Sequence, residues 1–138
     1  VDYSYTLTPF IAWLVAGITK FAINSIKVKQ LAFGLIGYGG LPSNHSAIVS
    51  SMAALIAFKE GIGHPAFGVA LALAFIVMLD ANSLRKQVGK YAVMLNKLAE
   101  TLGDVELLRE RMGHSKIEIL AGVVVGIGVA AVTSRLFS

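Results

Sequence analysis

Two runs of about twenty residues, Leu7–Ile26 and Ile117–Leu136, constrain this chain most. Each is apolar enough, and long enough, to cross ~30 Å of hydrocarbon as a helix. Two shorter apolar runs lie between them, Ser43–Phe58 and Pro65–Leu79, about 24 and 23 Å long as helices at 1.5 Å per residue. The composition fits a lipid-facing exterior: 56% of the 138 residues are hydrophobic and 14% charged, where a soluble domain carries about 25%. Disorder is excluded by the same figures. No cysteine is present, which removes disulfides, thiolate catalysis and cysteine-based metal sites. The reading is an all-α integral membrane bundle of about four spans, a single membrane-embedded domain over residues 1–138.

The stretch Leu84–Met112 differs. Leu84, Val88, Tyr91, Leu95, Leu98, Leu102 and Val105 recur every three or four positions with charged residues between them, the period of an amphipathic helix. It is predicted to lie on the membrane surface or cap the bundle, with Gly103 able to divide it. Glu106 and Glu110, near Arg109 and Arg111, read as a solvated helical face. The glycine-bearing segment Gln30–Leu41 is expected to be a loop packed on protein, since unpaired backbone does not face lipid.

Basic residues orient short membrane loops. Of the twelve Lys and Arg residues, alternating spans put Lys27, Lys29, Arg85, Lys86, Lys90, Lys97, Arg109, Arg111 and Lys116 on one side. Lys59 and Arg135 fall on the other, and Lys20 lies within the first span. The richer side is expected to be cytoplasmic, as in a cell inner membrane or an organelle equivalent, with Asp2 opposite. The same alternation brings four polar clusters to one membrane face: Lys20 with Asn24, Pro42 to Ser46, Asp80 with Arg85 and Lys86, and His114 to Glu118.

Each cluster has a structural and a chemical reading. Ser43 or Asn44 is a helix N-cap, and a helix N-terminus also attracts phosphate. Ser115 and Glu118 match a capping box, yet His114 and Glu118 are also four apart on one helix face. A carboxylate there fixes the imidazole tautomer and frees the other ring nitrogen as nucleophile or base. Lys20 and Asp80 would be structural if paired with each other; Arg85 and Lys86 offer a guanidinium fork and a point charge to an anion. His64 reads as a loop residue. Gly122 and Gly126, with Ala66, Ala70 and Ala74, have the small-residue spacing of close helix packing, internal or in a homo-oligomer. Two histidines among cations, without metal-ligand spacing, suit an anion, most naturally a phosphate ester.

At these residues the chain resembles the divergent type-2 phosphatidic acid phosphatase family, related to acid phosphatase and vanadium-dependent haloperoxidase. The resemblance rests on Gly39-Gly40-Leu41-Pro42-Ser43-Asn44-His45-Ser46-Ala47, on Asp80-Ala81-x-x-x-Arg85-Lys86-x-x-Gly89, on Asn96-Lys97-Leu98 and on Gly113-His114-Ser115-x-x-Glu118-x-x-x-Gly122. It implies a metal-free lipid-phosphate phosphatase that needs no cofactor and no nucleic acid. By this resemblance His114 is the nucleophile that becomes phosphohistidine, Glu118 orients it, and His45 is the acid and base. Ser43, Asn44, Lys20, Lys27, Asp80, Arg85 and Lys86 would bind or flank the substrate phosphate. Phosphatidylglycerol phosphate leads the implied substrates, ahead of polyprenyl diphosphate and phosphatidate. The chain departs from the wider superfamily's K-x6-RP, PSGH and SR-x5-H-x3-D patterns at Lys27, Val28, Asn44, Leu108 and Glu118. The alternative is a non-catalytic lipid-binding or transport module that retains the anion site.

Overall fold

The computed structural model describes residues 2–35, 39–103 and 105–137. Among these there are helices and no strands: α1 (Ser4–Val28), α2 (Asn44–Glu60), α3 (Pro65–Leu79), α4 (Arg85–Ala99) and α5 (Lys116–Leu136). A 3-10 turn at Phe33–Leu35 follows α1, and a π-helical turn at Asp80–Leu84 joins α3 to α4. The glycine-rich loop is described on both sides of Ile36, Gly37 and Tyr38, which lie outside the described residues.

Helix α2 is the centre of the bundle, although at 17 residues it is shorter than α1 or α5. Its buried positions are small or polar: Ser46, Ala47, Ser50, Ser51 and Ala53 beside Val49, Leu55 and Ile56. Small side chains let membrane helices approach closely, and close approach replaces the hydrophobic drive that lipid cannot supply. On one face α2 meets Gly122 and Gly126 of α5. A Cβ on Gly122 would lie 2.8 Å from Ser46 Cβ, and one on Gly126 would lie 2.6 Å from the Ala47 carbonyl oxygen. On another face Ala53 and Ile56 pack with Ala70 of α3. The glycine pair therefore seals an internal α2–α5 seam, while the alanines of α3 serve a separate one.

Helix α1 buries Ser4, Thr8, Ala12 and Ala16, one stripe at four-residue spacing confined to its first half. Thr8 Oγ1 donates to Thr133 Oγ1 of α5 at 2.9 Å, inside the bundle. Beyond Gly17 no α1 residue is fully buried, and the helix packs on the loop that follows it, with Phe21 against Phe33 and Ser25 Oγ accepting from the Ala32 amide.

The directions alternate. Lys59, at the end of α2, donates to Asp2, to Ser4 Oγ and to the Phe137 carbonyl, so α1 begins where α2 and α5 end. At the opposite end the Ser43 amide donates to the Glu118 carbonyl at 2.9 Å, and the His114 amide donates to the Ala81 carbonyl at 2.9 Å. Among the described residues three helices are long and apolar enough to cross a membrane: α1, the continuous Pro65–Ala99 helix and α5. Large apolar side chains cover the outside, among them Phe10, Ile18, Val69, Phe75, Ile76, Leu120 and Val124, as a lipid-facing surface requires. The protein is an all-helical integral membrane bundle.

The amphipathic stretch is helical only as α4, and it continues α3 through the π turn rather than starting afresh. Its buried face is Gly89, Ala92 and Asn96; Leu84, Val88, Tyr91, Leu95 and Leu98 are exposed. Residues 105–113 are not helical. They return antiparallel along α4, because Asn96 and Gly89 offer their backbone a better partner than another helical turn would. Glu106 and Glu110 thus share no helical face, and the Glu110 carboxylate accepts a hydrogen bond from Asn96 Nδ2 at 2.9 Å. Asp104 lies outside the described residues.

Candidate active site

Proline and serine start α2 where the sequence indicates. Ser43, fully buried, is the N-cap: its hydroxyl accepts from the Ser46 amide at 3.3 Å. That leaves Asn44 and His45 in the first turn, facing the space between α1, α2 and the loop before α5. His114 reaches the same space from the other direction. The two imidazole centroids are 5.6 Å apart, with the rings inclined by 62°.

Glu118 carries both roles that its position allows. One carboxylate oxygen, Oε2, accepts from the Ser115 amide at 3.0 Å and lies 3.0 Å from His114 Nδ1, while Ser115 Oγ accepts from the Glu118 amide. The capping box and the histidine contact are one structure. Its rigidity comes from the cap, since the carboxylate cannot turn away from the ring without releasing the helix terminus. A proton on Nδ1 is held by the carboxylate, which leaves Nε2 with a lone pair. His114 is only 6% exposed. Burial pushes its imidazole below the usual histidine range; the hydrogen bond to Glu118 works against this, and the Lys20 charge adds to the lowering.

Arg85, in the first turn of α4, places Nη2 3.1 Å from His45 Nε2. A guanidinium can only donate, so this contact makes Nε2 the acceptor and puts the neutral ring's proton on Nδ1. His45 Nδ1 and Asn44 Oδ1 are both buried without a hydrogen-bond partner. Buried polar atoms are nearly always paired, and both of these belong to residues that line one cavity.

That cavity has a volume of about 360 Å³. Its polar wall is Lys20, Asn24, Asn44, His45, Arg85, Arg109 and His114. Its apolar wall is Trp13, Phe21, Ile48 and Met112. Trp13, Gly17, Lys20, Phe21 and Asn24 follow the helical period along α1, so the lining grades from polar at the α1 C-terminal end to apolar about 10 Å deeper. A second cavity of similar volume adjoins it across Gly39 and Asn24, lined by Lys27, Arg111, Ser115 and Glu118 among others.

The sequence-derived candidates separate accordingly. His45, His114, Asn44, Lys20 and Arg85 line the first cavity; Lys27 and Glu118 line the second. The Lys20-x6-Lys27 spacing therefore spans two cavities, as two turns of helix must when a loop crosses between them. Ser43 lines neither, since its hydroxyl is committed to the cap. Lys86 is exposed and packs its stem against Gly113, and Asp80 is exposed in the π turn. Among the described residues no ion pair joins Lys20 to Asp80, whereas Lys59 pairs with Asp2 and His114 with Glu118. His64 caps α3 at the far end, accepting from the Ala66 amide at 3.2 Å. Arg109, Met112 and Gly39 are cavity residues that spacing alone did not single out, because an extended segment carries no helical period to place them.

Comparison with known families matches residues 2–129 to the Divergent PAP2 family. The chain belongs to that family. As a member of the Divergent PAP2 family it is a phosphatase-related membrane protein. It is also similar to the uncharacterized membrane protein YuiD of Bacillus subtilis (strain 168), with 29% identity over 148 residues, covering 95% of this chain and 94% of that protein. No solved structure matches the chain.

Proposed function

We propose that this protein is a metal-independent lipid-phosphate phosphatase working through phosphohistidine. The observation that carries the reading is the pair of imidazoles, 5.6 Å apart over a cavity that grades from cationic to apolar. A phosphate ester with a hydrocarbon tail has the same gradient. Nothing in a purely structural bundle calls for two orphaned polar atoms at the polar end of such a space.

The chemistry balances as two displacements. His114 Nε2 attacks phosphorus with its lone pair; the ester P–O bond breaks, and the leaving alkoxide takes a proton from His45 in its imidazolium form, which Nε2 can adopt once the Arg85 guanidinium has turned from it to the phosphate. Glu118 stabilises the cationic phosphoimidazole and holds its orientation. Water then enters, gives a proton back to His45 and attacks phosphorus, and the N–P bond breaks to release orthophosphate and restore His114. Arg85, Lys20 and the Asn44 side of the α2 N-terminus stabilise the charge that spreads over the phosphoryl oxygens in the transition state. The substrate is a phosphomonoester or diphosphate whose tail stays in the bilayer, with phosphatidylglycerol phosphate the first to test. The site faces the cytoplasm or its topological equivalent, since the surplus of Lys and Arg lies at this end.

The test is phosphate release from a panel of lipid phosphates by detergent-purified protein. Wild type should act on at least one, and His114→Ala and His45→Ala should not. Equal rates for all three proteins would overturn the reading; binding of the lipid without release would favour a transport or lipid-binding module.

A further inference from the structure

The helix that runs from Pro65 to Ala99 changes register once, at the π turn Asp80–Leu84. In an α-helix the Arg85 amide would bond the Ala81 carbonyl, four residues back. Here it bonds the Asp80 carbonyl, five back. The turn therefore holds one residue more than an α-helix needs, and the Ala81 carbonyl is released from that pairing. Ala81 is only 1% exposed, so a carbonyl released there needs a partner from the protein. The His114 amide supplies it, at 2.9 Å. The same turn delivers Arg85, whose Nη2 lies 3.1 Å from His45 Nε2. Both imidazoles are thus tied to one short turn, His114 through the backbone and His45 through a side chain. Single π turns inside α-helices recur at functional sites.

The chain that reaches the turn is shaped for it. Residues 105–113 form a strap along α4, held by Asn96, whose Nδ2 donates to the Leu108 carbonyl and whose Oδ1 accepts from the Leu108 amide, each at 2.8 Å. The last residue of the strap, Gly113, has φ +88°, a conformation that glycine adopts without steric cost. A Cβ there would lie 3.2 Å from the Asn82 carbonyl oxygen and 3.2 Å from the Lys86 nitrogen, so glycine lets the strap seat on the turn. From the other side Glu118, fixed by its capping box, meets the His114 ring. We propose that the π turn is a positioning device: its released Ala81 carbonyl anchors the His114 backbone and so sets the nucleophile against His45. The proposal rests on the phosphatase reading above. Ala81 lines neither cavity and acts only through His114.

Backbone esters in the full-length, detergent-purified protein test it without altering a side chain. An ester in place of the Ala81–Asn82 peptide weakens the Ala81 carbonyl as an acceptor; a control ester at Asn82–Ser83 weakens the next carbonyl instead. Each removes one helical amide, so the two perturb the helix alike. The first should speed hydrogen exchange at the His114 amide by about five- to tenfold. It should also lower kcat on a lipid phosphate by about tenfold with KM unchanged; the control should do neither. Deleting Ser83 returns the turn to α-helical spacing, pairs the Ala81 carbonyl with a helical amide, and should lower kcat by about 10²-fold. Ser83→Ala keeps the length and should match wild type. Equal exchange at His114 in the two esters would overturn the proposal, as would wild-type kcat in the first ester or in a folded deletion variant; if the deletion does not fold, the esters decide. If wild type hydrolyses a lipid phosphate and the first ester matches it, only this proposal falls. If wild type hydrolyses none, the phosphatase reading falls, and exchange alone judges the anchor: faster exchange in the first ester only sustains it, and equal exchange in both overturns it.

Discussion

The two ends of the bundle are built from similar residues and treat them in opposite ways. At the far end, Lys59 donates to Asp2, Ser4 and Phe137 and lies over the Tyr5 ring, while the Tyr5 hydroxyl bonds Glu60. Each of these polar groups answers another, and the termini of α1, α2 and α5 are tied together by the result. At the site end, Asn44 and His45 each keep a buried atom unpaired, Arg85 is turned to a histidine, and a cavity remains open. The difference is between polar groups that answer one another and polar groups that line a cavity.

The largest effect should come from the open end. His114→Ala is expected to lower phosphate release by about 10²–10⁴-fold or more, with little change in melting temperature, whereas Lys59→Ala should leave the rate intact. A reversed result, with Lys59 governing the rate, would break the contrast. Next in size is the apolar depth of the cavity. Gly17 has open space beside it apart from Asn44 Nδ2 at 4.0 Å, so Gly17→Leu should fold and fill the deep half. Hydrolysis of long-chain lipid phosphate should fall by about tenfold or more, while a short-chain phosphate is spared. Equal loss on both substrates would show that the tail does not enter there.

Because burial lowers the His114 pKa below 6.5, the neutral nucleophile should persist as pH falls through that value. The acid limb of kcat/KM, corrected for substrate ionisation, should therefore lie below pH 6.5. Glu118→Gln removes the contact that raises this pKa, so the limb should move lower still while the rate drops. A limb above pH 6.5 would contradict the buried, neutral imidazole. The sign for stability is the same: the unfolded chain takes up the proton first, so folding weakens as pH falls through the ordinary histidine value.

The smallest effects belong to the closed end. Lys59→Ala should lower the melting temperature in detergent by about 5 °C. Asp2, held down to a pKa of about 2 by its hydrogen bond to Lys59, should lend its ion pair fully above pH 3.8 and lose it as pH falls towards 2. Asp2→Asn should erase that acid-side dependence without touching catalysis.

Much of this was legible in the residues. Hydropathy located α1, α2, α3 and α5, and the Pro42-Ser43 and Ser115-x-x-Glu118 signals marked the helix starts within a residue. Alternation of direction was enough to bring His45 and His114 to one end. The strap was not legible: Leu84 to Val105 keep a helical period, yet the chain leaves the helix after Ala99, because Asn96 and Gly89 reward a returning backbone that no local pattern advertises. Nor could spacing separate Lys20 from Lys27, which share a motif and line different cavities.

The sequence by itself determined the solvent of this protein, the number and polarity of its apolar segments, and the helix caps, since those depend on composition and on contacts within four residues. Tertiary structure alone decided which polar groups are answered and which are left facing a cavity. It also decided that Gly122 and Gly126 meet α2, and that Arg109 and Arg111, two residues apart, line different cavities. Those outcomes depend on where distant backbones can approach, and the local order of residues does not encode that distance.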